Sequence, residues 1–133
     1  MELLPCEHVW ILSYTMCLEN KLKCHCLIDY RSYAFDVIHR SDSPFLANKR
    51  LFAMTDSGIP DGIKCDIAGN LYSGCGDGVH VWSPGGSLIG KIYVPGGCAN
   101  FCFGPAGEMF LLNENKVWRA KLSDNTIGAL LRI

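Results

Sequence analysis

From residue 22 onward the chain consists of short runs of Val, Ile, Tyr, Phe and Leu, each broken within a few positions by Gly, Pro, Asp or Asn. Runs of that length, rich in β-branched and aromatic residues and bounded by turn formers, predict strands joined by tight turns. The expected strands are 22–28, 33–38, 49–54, 62–65, 71–74, 78–82, 87–94, 100–103, 109–112 and 116–122. Helical spacing fits only 9–18, where Tyr, Thr and Cys give little helix propensity, so 1–20 is read as an irregular segment ahead of an all-β unit at 21–133.

Shifting the chain by 38 residues lays Ile63 over Phe101, Ala68-Gly69 over Ala106-Gly107 and Leu71-Tyr72 over Met109-Phe110. Beyond them Val79-His80-Val81 falls over Val117-Trp118-Arg119. A less regular copy precedes both, with 45–54 as its fourth strand. A period near 40 with four short strands per unit is the arithmetic of a β-propeller, and the expectation is two full blades plus a partial one. Blades bury their faces against neighbours, so an incomplete set would leave apolar sheet surface and open edges for self-association. A small sandwich or barrel is the competing architecture; it would pair 71–74 with strands distant in sequence.

Composition narrows the functions. At 133 residues the chain has room for one ordinary core, and 49% hydrophobic against 19% charged residues suffices to build it. A formal net charge of -1 creates no field for nucleic acid or anionic lipid. Charged, Pro or Gly residues interrupt every apolar run well short of the roughly 20 residues of a membrane helix. The first 16 residues carry Glu2 and Glu7 but no Lys or Arg, so no signal peptide is expected. The eight cysteines contain no C-x-x-C pair, and Cys24-His25-Cys26 reads more readily as strand residues than as a soft-metal site.

Three ordered motifs carry chemistry. They are Pro60-Asp61-Gly62, followed by Asp66-Ile67-Ala68-Gly69-Asn70-Leu71-Tyr72; then Asp77-Gly78-Val79-His80-Val81; then Ala99-Asn100-Phe101-Cys102-Phe103-Gly104. Together they resemble the gluconolactonase family, also called SMP-30 or regucalcin-like, over about 27–122, with 82–103 most similar to fungal lactonohydrolases. The resemblance implies the C-terminal part of a six-bladed propeller, a divalent metal, commonly calcium, in its central channel, and hydrolysis of small-molecule lactones. An oxygen-ligated cation suits that chemistry, because it can polarise an ester carbonyl and stabilise the oxyanion.

On that resemblance Asp61 is the candidate metal ligand and catalytic carboxylate, and Asn100 the candidate substrate-binding amide. Each has a plainer alternative: Pro60-Asp61-Gly62 is good turn chemistry, and Asn100 can serve as a strand-end hydrogen bond. Asp66 and Asp77 are expected to bond local backbone in turns, and His80 and Trp82 to pack on one strand face. The position implied for a second ligand, an Asn, falls on Ser13-Tyr14-Thr15, which offers no amide. A metal-binding Glu implied for the first blade has no counterpart. Calcium usually takes six to eight oxygens, so weak metal binding and little hydrolysis by this chain are expected. The rival reading is a non-catalytic propeller fragment acting as an interaction module.

Overall fold

The computed structural model describes residues 15–17, 21–25, 30–41 and 43–129, the first two stretches as backbone. They form three antiparallel sheets in chain order. The first runs β1 (Thr15–Cys17), β2 (Lys21–His25), β3 (Arg31–Arg40) and β4 (Ser43–Met54); the second β5 (Ile63–Cys65), β6 (Leu71–Cys75), β7 (Gly78–Trp82) and β8 (Leu88–Tyr93). The third holds β9 (Asn100–Phe103), β10 (Glu108–Asn113) and β11 (Lys116–Lys121). Every strand pairs with its sequence neighbour, and the one helical element among the described residues is a 3₁₀ turn at Pro105–Gly107.

The all-β expectation holds, and β5 pairs with β6, which removes the sandwich alternative. Two details differ. Thr15–Cys17, inside the segment read as irregular, is a strand paired with β2, while residues 1–14 lie outside the described residues. The three-stranded sheet is the last, whereas the first has four strands, with β4 twice as long as the run 49–54.

The 38-residue repeat reappears as register. Tyr72 faces Val81 and Leu71 faces Trp82 in the second sheet; Phe110 faces Arg119 and Met109 faces Ala120 in the third. Alternation then assigns the faces. From the second sheet, Tyr72, Val79 and Val81 meet Phe101, Phe103, Met109 and Leu111 of the third. Its other face sends Ile63, Cys65, Leu71 and Trp82 to Phe52 and Ala53 of the first. All ten residues of β6 and β7 are buried, because this sheet is covered on both sides. Burying a side chain such as Phe101, Leu71 or Met109 is worth about 1.5–3 kcal/mol.

Turn chemistry sets the strand spacing. The Asp66 carboxylate accepts hydrogen bonds from Asn70 N–H (2.9 Å), Asn70 Nδ2 (2.9 Å) and the Tyr72 hydroxyl (3.1 Å). This closes the β5–β6 turn as expected. Gly69 supplies the positive φ of 81° that the turn requires. Gly74 is needed for a different reason: a β-carbon there would lie 2.3 Å from the Cys98 carbonyl oxygen, so only glycine lets the second and third sheets approach.

Candidate functional site

Asp61 sits just ahead of β5, where two sheets meet. Its N–H donates to the Gly74 carbonyl at 2.9 Å, and the next N–H, of Gly62, donates to Ala99 at 2.7 Å. The backbone is thus pinned to β6 on one side and to the approach to β9 on the other. Asp61 lines a shallow cavity of about 180 Å³ together with Cys75, Gly97, Cys98, Asn113 and Glu114. The residue is exposed, but the protein partly shields its carboxyl, and this desolvation raises its pKa. Among the described residues no basic side chain pairs with it.

Asn113 shapes the far wall: its Nδ2 donates to the carbonyls of Pro95 (3.1 Å) and Gly97 (3.0 Å), holding the loop over the cavity. Asn100 lies beside Gly62, where a β-carbon would fall 2.5 Å from its Oδ1. That oxygen accepts from the Phe101 N–H at 2.8 Å and from Lys64 Nζ at 3.4 Å. Asn100 is therefore adjacent to Asp61 in the fold without lining its cavity, and its carbonyl is engaged in the strand-end bond that was its plainer reading.

A second cluster was missed as a site. Asp77 Oδ1 lies 2.6 Å from His80 Nε2, and Lys91 Nζ lies 2.5 Å from Asp56 Oδ1 and 3.3 Å from Asp77 Oδ2. Asp77 therefore binds side chains where local backbone partners were expected; its carboxyl pKa is lowered by His80 and Lys91 despite the opposing cost of burial. His80 is buried and stacks obliquely on Trp82 at 5.6 Å, the packing expected of both. The signal was weak because Asp56 and Lys91 lie 35 residues apart.

The fit of a divalent cation can be tested on these groups. Asp61 suits one ligand position, since a cation would offset the desolvation that raises its pKa. Glu114 is the only other carboxylate on that cavity among the described residues, and two such residues do not supply the six to eight oxygens calcium takes. Asp56, Asp77 and His80 bring three ligand atoms within 4.8 Å, but the Lys91 ammonium already satisfies both carboxylates. Neither set is a complete metal site. A larger cavity of about 300 Å³ lies between the second sheet and residues 122–126, lined mainly by apolar groups such as Tyr72, Val81, Ile89 and Leu122, away from Asp61.

Cysteine chemistry is not supported at the buried positions. Cys65 is disulfide-bonded, and its partner lies outside the described side chains, as does Cys24-His25-Cys26. Cys75 and Cys98 are free but buried, and burial pushes the Cys75 thiol up to about 12 and the Cys98 thiol upward. Such thiols are poor nucleophiles and poor soft-metal ligands.

Residues 15–113 match the family model described as SMP-30/gluconolactonase/LRE-like region. A gluconolactonase of Zymomonas mobilis is 32% identical over 76 residues, 55% of this chain and 21% of that protein. The lactonohydrolase oryH of Aspergillus oryzae is 30% identical over 93 residues, 68% of this chain and 19% of its own. Among solved structures, a Xanthomonas campestris gluconolactonase superposes with a TM-score of 0.71 at 29% identity, covering 80% of this chain and 36% of the other. A luciferin-regenerating enzyme shares the fold, with a TM-score of 0.68 at 16% identity over 86% of this chain and 48% of the other. The chain thus matches about a fifth of the length of the curated relatives.

Proposed function

The chain belongs to the SMP-30/gluconolactonase/LRE-like family, and on that premise we propose that it is the C-terminal part of a lactone-hydrolysing six-bladed propeller, its three sheets being consecutive blades. The observation that carries this reading is Asp61: a carboxylate in a Pro-Asp-Gly turn, pinned between two sheets, lining a cavity with its pKa raised and no basic partner among the described residues. In this reading the substrate is a small lactone, the bond broken is its ring ester, and Asp61 is the group of this chain that touches the reacting centre. A divalent cation, when bound, would supply polarisation of the ester carbonyl. Among the described residues Asp61 is the one ligand this reading assigns to it, so metal binding is expected to be weak and hydrolysis slow. Asn113 acts at one remove, by holding the loop that walls the cavity.

The test is a pH-indicator assay on glucono-lactone, with and without added calcium, for the chain and for Asp61→Asn. Slow, calcium-stimulated opening that disappears in the variant supports the reading. Activity that survives the substitution, or turnover independent of Asp61 at every calcium concentration, overturns it.

The second reading, an interaction module that self-associates through exposed sheet surface, is favoured by the large apolar side chains left on the terminal sheets, among them Leu51 at 54% and Val117 at 68% exposure.

A further inference from the structure

We propose that the cavity of about 300 Å³ between the second sheet and residues 122–126 binds a small neutral molecule that carries a flat ring and one oxygen acceptor. The cavity lies away from Asp61, so the inference does not rest on the lactone reading. Its ground is Gly90, in the interior of β8. A glycine inside a strand weakens it, because it loses the most freedom on folding and packs no side chain. Such a glycine is needed where φ is positive, where neighbouring atoms leave no room for a β-carbon, or where a group from outside approaches the backbone.

The first two needs are absent at Gly90. It is not among the glycines with positive φ, and a β-carbon there would meet no heavy atom of the described residues within 4 Å, its chain neighbours aside. Gly78 on the neighbouring strand shows the contrast, since a β-carbon there would fall 2.0 Å from the Ile92 carbonyl oxygen. A bulge adjoins Gly90, where Val81 pairs with Gly90 and Trp82 with Leu88, but a bulge demands glycine only at positive φ. On the regular side of that bulge Gly90 pairs with Val81 and Ile92 with Val79, so Gly90 shares the face that Val79 and Val81 turn to the third sheet. The missing side chain therefore leaves bare peptide as the open floor of the cavity, and a flat ring can lie on it.

The lining sets the chemistry of the occupant. Tyr72, Val81, Ile92 and Leu122 make the walls apolar, and the volume is at the low end of small-molecule pockets, which run to roughly 300–1,000 Å³. Lys91 is the one charged residue on the lining among the described residues, and its ammonium is held on the opposite face by Asp56 and Asp77. No charge is left to attract an ion, so the occupant is neutral. Ser123 and Thr126 supply the polar end. The Ser123 carbonyl accepts the Thr126 N–H at 2.8 Å, and the Ser123 hydroxyl oxygen accepts the Asn125 N–H at 3.4 Å. Neither hydroxyl proton is taken by another described residue, so both can be donated to an acceptor oxygen. Few polar groups converging on an apolar floor are what fixes the orientation of a small ligand.

The test is a fluorescence titration with Prodan, a neutral naphthyl ketone whose emission shifts to the blue when it leaves water. The expected result is saturable binding to one site. Gly90→Val fills the floor with a residue that suits a strand, so it should weaken binding at least about tenfold while the thermal midpoint stays level or rises. Ile89→Asp changes a rim position that is 57% exposed, and it should weaken binding to a similar extent with far-UV circular dichroism unchanged. Thr126→Val should cost about 2–10-fold through the lost hydrogen bond. Asp61→Asn should bind as the parent does, and an anionic naphthalene sulfonate should bind at least about tenfold more weakly than Prodan. No saturable binding, binding that survives Gly90→Val, loss of binding in Asp61→Asn, or an anion held as tightly as the ketone overturns the proposal. A parent that takes no dye and a Gly90→Val variant of lower thermal midpoint would show that the protein fills this space itself, and would overturn it equally. Lactone hydrolysis does not enter this readout, so the two readings fail separately.

Discussion

Asp66→Ala removes the acceptor on which the β5–β6 turn is built. One carboxylate oxygen takes the Asn70 N–H, and the other takes Asn70 Nδ2 and the Tyr72 hydroxyl, all at 2.9–3.1 Å. Asp66 is 4% exposed and Tyr72 6%. A hydrogen bond to a charged group contributes about 1.5–3 kcal/mol net, but Asn70 is half buried and water can replace much of what its two donors lose. The Tyr72 hydroxyl has no such recourse, and an orphaned buried donor costs about 1–3 kcal/mol. The expected destabilisation is about 3–4 kcal/mol, near the upper end for a single substitution. Urea unfolding followed by the fluorescence of Trp82 and Trp118 measures it; with a slope of roughly 1–3 kcal/mol per molar, the midpoint falls by about 1–4 M. Tyr72→Phe alone should cost about 1 kcal/mol, and the double variant should fall short of the sum by about 1–2 kcal/mol, since a phenyl ring leaves no orphaned hydroxyl. A cost for Asp66→Ala below about 1 kcal/mol, or strict additivity with Tyr72→Phe, would refute the reasoning.

Asp61→Asn should be more stable than the parent at neutral pH. A carboxyl whose folded pKa lies above its unfolded value contributes stability below that unfolded value and loses it as pH rises through the folded one, so the variant's advantage in thermal midpoint should vanish in acid. Calcium should raise the parent's midpoint and leave the variant's unchanged. Gly74→Ala should cost at least about 1–3 kcal/mol in urea unfolding, because its β-carbon meets backbone rather than a side chain that can move. In the native protein iodoacetamide at pH 8 should modify the exposed Cys102 and spare Cys75 and Cys98, as read by mass spectrometry; rapid alkylation of Cys75 would contradict its burial and raised pKa.

The features legible in the sequence are those set over short distances. The spacing of Ala68-Gly69 and Ala106-Gly107 fixes where each turn falls, and two turns in equivalent places impose one register on the second and third sheets. Asp66 was readable because its partners, Asn70 and Tyr72, lie within six residues. Features set by contacts between distant residues were not readable. Asp77 has turn composition, and besides His80, three residues on, its carboxylate is taken by Lys91 on β8, which also reaches Asp56; it is these last two contacts that no local pattern announces. Thr15–Cys17 carries no strand pattern of its own over three residues; pairing with β2 makes it one.

The same division explains the state of the candidate site. The place of Asp61 follows from local chemistry: Pro60 and Gly62 shape the turn, and Gly62 and Gly74 let the backbone lie against Ala99 and Cys98. What would complete a metal site is different in kind, because a six-to-eight oxygen shell has to be collected from several strands. Asn100 shows how that can fail. It stands beside Gly62, but the Phe101 N–H lies within 2.8 Å of its oxygen and Lys64 within 3.4 Å, and both must be displaced before that oxygen can face a cation. Lys64→Met would remove the competing charge. If calcium then stabilises the chain more than it does the parent, Asn100 is a latent ligand held off by Lys64; if the calcium response is unchanged, the strand-end bond to Phe101 is its whole role and further ligands have to come from outside this cavity.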